Sequence, residues 1–120
     1  MIVPMTPRVF INRNSWRDWL SDNHSEVREI WLVIRRAGCA DPGLRLDEAV
    51  EEALCFGWID SQLKPIDNKS YSLRFSPRRV NSIWAESNIM RVRKMIKEGK
   101  MTPDGLAVVP ERIKKLLEES

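Results

Sequence analysis

The residues best suited to chemistry cluster between positions 58 and 88. Arg74, Arg78 and Arg79 lie close together, and the run Ser76-Pro77-Arg78-Arg79-Val80-Asn81-Ser82 leads into an amphipathic segment. Guanidinium forks beside the free N–H groups of a helix N-terminus suit a phosphate or a carboxylate. Trp58 and Trp84 border these polar segments, where an indole can stack on a base or a sugar. Asp60 stands two residues after Trp58, so both share one face if the segment is a strand. A carboxylate there either pairs with Arg74 across a hairpin or, if left open beside a ligand, acts as a general base. Asn88 falls within an apolar helical stripe, where its amide must find partners in the adjacent loop or on a ligand.

Other chemistries find little support. Metal sites need several converging ligands, and the chain has one histidine, His24, so no metal and no cofactor is expected. A nucleophilic triad would also have to use that histidine. The five glycines are scattered and form no phosphate-binding loop. Cys39 and Cys55 have no partner motif, and Cys55, between Leu54 and Phe56, reads as a small core residue.

The surrounding pattern predicts the elements that position these groups. Arg8–Ile11 reads as a short strand, and Asn14 or Ser15 as the cap of a helix with Trp16, Trp19 and Leu20 on its apolar stripe. EIWLVIRR, 29–36, reads as a central strand. Asp47 caps a helix whose buried stripe is Ala49, Val50, Ala53, Leu54 and Phe56, stopped by Gly57. WIDSQL and YSLRF then form a hairpin across KPIDNKS. Period two places Tyr71, Leu73 and Phe75 with Ile59 and Leu63 on the core face. Trp58, Asp60, Gln62 and Lys64 fall with Ser72, Arg74 and Ser76 on the polar one. A long helix over 83–98 carries Ala85, Ile89, Val92, Met95 and Ile96 inward, with Trp84 at its edge. A short turn at Thr102-Pro103 and a last helix, PERIKKLLEE, follow. This order predicts a single α+β domain over 1–120. Its expected architecture is two-layer, with a small antiparallel or mixed sheet of three to four strands against helices.

Size and composition agree with a globular domain: 120 residues, 42% hydrophobic and 31% charged. No apolar run is long enough to cross a membrane, and the start has no signal-peptide pattern, so a cytoplasmic address is expected. The net charge of +3 is segregated. Residues 41–60 carry six acids against one base, and residues 61–100 carry ten bases against three acids. That asymmetry fits an anionic partner or a basic face neutralised by the acidic helix.

Several elements together resemble a known family. Trp16-x-x-Trp19-Leu20, ALCFGWIDS over 53–61, Phe75-Ser76-Pro77-Arg78-Arg79 and Ser82-x-Trp84-x-x-x-Asn88 are similar to the YdeI/OmpD-associated family, also labelled bacteriocin-protection proteins. The likeness runs from about Phe10 to Leu106, the N-terminal region of longer relatives, so any role of their further helical segment is expected to be absent here or supplied by another chain. It implies a small cytoplasmic α+β domain without a known cofactor, and supplies no catalytic mechanism. Its motif falls on Phe56, Gly57, Trp58, Asp60, Ser61, Pro77, Arg78, Arg79, Ser82, Trp84 and Asn88.

The leading expectation is a binding module for an anionic ligand (nucleotide, nucleic acid or sugar phosphate) in a pocket of Trp58, Asp60, Arg74, Arg78, Arg79, Ser82, Trp84 and Asn88. One alternative is an enzyme using Asp60 as general base. The other is an interaction protein that docks an acidic partner on Arg91, Arg93, Lys94 and Lys97.

Overall fold

A computed structural model describes residues 6–79 and 82–118. The elements in chain order are α1 (Arg13–Asn23), β1 (Ile30–Arg35), α2 (Leu46–Cys55), β2 (Trp58–Pro65), β3 (Ser70–Pro77), α3 (Glu86–Lys97), α4 (Pro103–Ala107) and α5 (Glu111–Glu118). The three strands form an open antiparallel sheet in the order β1-β3-β2, so the fold is α+β. Among the described residues no helix is long and apolar enough to cross a membrane.

The middle strand is β3, and β1, expected to be central, lies at an edge. Its β-branched apolar run is nonetheless buried, because Arg8 and Leu44 each form a parallel bridge beside it. Arg8 makes only that bridge, so the expected first strand is reduced to one pairing. Its N–H donates to the Trp31 carbonyl and its carbonyl accepts from Val33.

Helix α2 is the centre of the helical layer, packing against α1, α3, α4, β1 and β2. Ala49 through Cys55 are all buried, which an amphipathic helix on a protein surface would not show. The cap is two residues earlier than expected: Arg45 is the N-cap in place of Asp47, and its N–H donates to Glu48 Oε1 at 3.1 Å. The helix ends where a left-handed residue is needed, and Gly57 takes φ +78°. In α1 the cap is Asn12, not Asn14 or Ser15. Asn12 Oδ1 accepts from the Ser15 N–H at 2.9 Å, while Ser15 Oγ accepts from the Asn12 N–H at 3.3 Å.

The hairpin departs most from expectation. Trp58 pairs with Pro77 and Asp60 with Phe75, so both stand on the core face, whereas Ile59 pairs with Ser76 on the outer one. A bulge between Asp60 and Leu63 then shifts the register, and Leu63 pairs with Leu73 but is 53% exposed, not packed against the core as expected. A shift of one residue exchanges the faces of every side chain before it. Trp58 is therefore 1% exposed, in contact with Trp19 at 5.9 Å between ring centroids, and its Nε1–H donates to the His24 carbonyl. Trp31 faces the side of the sheet shared with Arg74, outside the main core, and Lys64 Nζ lies 4.9 Å from its ring centre.

The acidic segment also behaves differently from a solvated helix face. Glu52 is fully buried and accepts from Arg13 Nε at 2.6 Å, Arg17 Nη1 at 2.9 Å and Lys100 Nζ. Glu51, also buried, accepts from Arg13 Nη2 and Lys94 Nζ at 2.8 and 2.9 Å. Burial pushes the Glu52 carboxyl up, but the hydrogen bonds from Lys100, Arg17 and Arg13 outweigh it and hold it below the usual carboxylate range. Much of the charge segregation along the chain is thus resolved inside the fold.

Candidate functional site

The outer face of the sheet holds a cleft of about 990 Å³, at the end where β1 begins and β3 finishes. Its floor is Ile59, Arg74 and Ser76, neighbours on that face by the register of β2 and β3. Arg28, just before β1, forms one wall. The chain leaving β3 forms the other with Pro77, Arg78, Arg79, Ser82 and Ile83. Four guanidiniums therefore surround one concavity.

These arginines are held differently. Arg74 Nε and Nη2 both donate to Glu29 Oε2, at 3.0 and 2.7 Å, and Nη1 reaches Ser61 Oγ at 3.2 Å. The expected bridge to Asp60 is absent because Asp60 and Arg74 occupy opposite faces of the sheet. Arg78 is 7% exposed, and its guanidinium carbon lies 4.0 Å from the centre of the Trp84 ring. Its Nη2 donates to the Ile83 carbonyl at 2.5 Å. Burial draws the Arg78 guanidinium pKa down, and the charge of Asp60 opposes this only in part. Arg28 and Arg79 are exposed, and among the described residues neither forms an ion pair.

The helix that was to supply free N–H groups begins later than expected, at Glu86 with Ala85 as N-cap. The Ile83 carbonyl is taken by Arg78 instead of a helical N–H, and Trp84 turns inward beneath that arginine. Ser82 Oγ donates to the Arg79 carbonyl at 2.7 Å, so Ser82 does not cap α3. Asn81, the other expected cap, lies outside the described residues.

The expected site residues divide accordingly. Arg74, Arg78, Arg79 and Ser82 line the cleft together. Trp84 is buried behind it, and Trp58 belongs to the core, so neither offers an open stacking surface. Asp60 is half-buried outside the lining, and its carboxylate accepts no hydrogen bond among the described residues. Asn88 turns towards α2: its Oδ1 accepts from Arg91 Nη1 at 3.0 Å, and Arg91 Nη2 donates to Asp47 at 2.8 Å. Arg28 and Ile59 were not anticipated. The pairing of Ile30 with Phe75 is what sets Arg28 near the end of β3, and no local pattern announces that register.

Cys55 is buried, and burial pushes its thiol pKa up, which opposes a nucleophilic role. No curated protein and no solved structure matches the chain. One family model does, over residues 8–108, with the description "Domain of unknown function (DUF8412)". That span takes in every element from the Arg8 bridge to α4, and the chain belongs to this family.

Proposed function

We propose that this protein is a binding module for an anionic ligand, held in the arginine-lined cleft on the outer face of the sheet. The observation that carries the reading is the convergence of Arg28, Arg74, Arg78 and Arg79 on one concavity, with a carboxylate, Glu29, bonded to Arg74 alone among the described residues. Guanidiniums so placed give both a positive field and directed donors for phosphate or carboxylate oxygens. The resemblance to the YdeI/OmpD-associated family is consistent with this reading, since four of the eleven positions that carry it, Pro77, Arg78, Arg79 and Ser82, fall on the cleft.

Nucleotide, sugar phosphate and nucleic acid remain candidate ligands, but the two tryptophans expected to stack on bases are buried. Ile59, Pro77 and Ile83 supply an aliphatic surface in their place. The enzyme reading is less favoured because Asp60 lies off the cleft. The protein-docking reading loses force because Arg91, Arg93 and Lys94 bond to Asp47, the Leu116 carbonyl and Glu51.

Calorimetric titration with inorganic phosphate, a sugar phosphate and a short single-stranded oligonucleotide, at low and high salt, tests the proposal. Replacing both Arg28 and Arg79 by Gln should weaken anion binding about tenfold or more, equivalent to about 1.4 kcal/mol. A steep loss with salt for the oligonucleotide alone would select nucleic acid. No binding by any of the three at low salt refutes the cleft as an anion site.

A further inference from the structure

The arginines of the cleft differ in what fills the edge formed by Nε and Nη2, the edge that grips two oxygens side by side. In Arg74 both atoms meet a carboxylate oxygen, Glu29 Oε2. In Arg78, among the described residues, only Nη2 has an acceptor, the Ile83 carbonyl, and Nε is buried with none. Trp84, stacked on the same guanidinium, likewise has its indole N–H buried without an acceptor. Buried donors without acceptors are uncommon in folded proteins, and a pair of them at the back of an arginine-lined cleft calls for an explanation.

Resting on the cleft reading above, we propose that Arg78 is the residue that grips the ligand. Its Nε and Nη2 form a two-pronged receptor for the phosphate group of a small phosphate ester. The Ile83 carbonyl occupies one prong when no ligand is bound. The Ile83 carbonyl oxygen lies on Nη2 alone and leaves Nε empty. A phosphate presents two oxygens on one face, one for each of Nε and Nη2, whereas in Arg74 both atoms already share the single oxygen Glu29 Oε2. Arg28 and Arg79 then face the remaining charge, which favours a dianionic phosphate over a carboxylate. The exchange requires the Ile83 carbonyl to move aside. The Ile83 side chain is 92% exposed, so no packing of that side chain resists the movement. Trp84 keeps the guanidinium in place from the other side, so the receptor stays oriented while its cap leaves.

The test uses the full chain labelled with 15N, observing the Arg78 Nε–H resonance and the Trp84 and Ala85 amides. Inorganic phosphate and a sugar phosphate should each shift the Nε–H downfield, slow its exchange with solvent and move both amides. Arg78→Lys, which has no second prong, should bind phosphate about tenfold more weakly, the loss of one charge-assisted hydrogen bond. The wild-type resonances give the answer even where that variant fails to fold. Phosphate binding that leaves the Arg78 Nε–H unmoved, or Arg78→Lys binding as tightly as wild type, overturns the receptor while leaving the cleft reading intact. Acetate binding as tightly as phosphate, or a response to an oligonucleotide alone, overturns the choice of a small phosphate ester. Absence of binding by every anion overturns both readings.

Discussion

Glu52→Gln isolates the buried charge cluster, because it keeps the side chain's shape and removes its charge. Arg13, Arg17 and Lys100 all donate to this one carboxylate, and each keeps only about a quarter of its side-chain exposure (25%, 27% and 24%). Removing one partner of a buried ion pair typically costs about 3–5 kcal/mol. The residual exposure of the three cations places the expected loss at the lower end, about 3 kcal/mol. At about 2.1 cal/mol/K of unfolding entropy per residue, a chain of this length should then melt about 12 °C lower. The folded-state pKa of Glu52 is depressed, so its contribution is full above the ordinary carboxylate pKa and is lost as pH falls through the folded value. The stability gap between wild type and variant should therefore be constant near neutrality and narrow in acid. Chemical denaturation across a pH series measures it. Glu111→Gln serves as control, since Glu111 is 83% exposed at the side chain, 3.7 Å from Lys114, and should change stability by less than about 0.5 kcal/mol. A neutral-pH gap below about 1 kcal/mol, or one that does not narrow in acid, refutes the reasoning.

Two further substitutions probe the packing around the hairpin and α4. Trp58→Phe removes the N–H donated to the His24 carbonyl and part of a buried ring, so it should cost about 1–3 kcal/mol. Its phosphate affinity by calorimetry should match wild type, and a weaker affinity with unchanged stability would restore Trp58 to the site. Gly105→Ala sets a methyl group against the backbone carbonyl of Cys55, which a rotamer change cannot relieve, and should destabilise by about 1–3 kcal/mol in a thermal melt. A neutral result would show that α4 is free to shift on α2.

What the sequence conveyed was mostly local. Helical spacing and the Gly57 stop were enough to place α2 and its buried Ala49, Val50, Ala53, Leu54 and Phe56. Alternation identified both hairpin strands, and Thr102-Pro103 marked the turn that became α4. The proximity of Arg74, Arg78 and Arg79 was legible because they lie on one short stretch of chain. Caps slipped by two to three residues, since Asn12 and Arg45 compete with equally plausible neighbours.

Tertiary structure decided what depended on register and on burial from more than one side. A single bulge after Asp60 reversed the faces of Trp58, Asp60 and Ile59, which strict alternation had assigned the other way. Glu51 and Glu52 became buried because α2 is covered by α1, α3 and the sheet together, and a helix's own periodicity reports only one face. Arg28 reached the cleft through the pairing of β1 with β3, and Arg78 was enclosed by Trp84 and the Ile83 carbonyl. The sequence by itself determined the elements and the arginines available to a site. Only the packed chain decided which of them meet, because strand register and the covering of a helix are set by residues far apart in the chain.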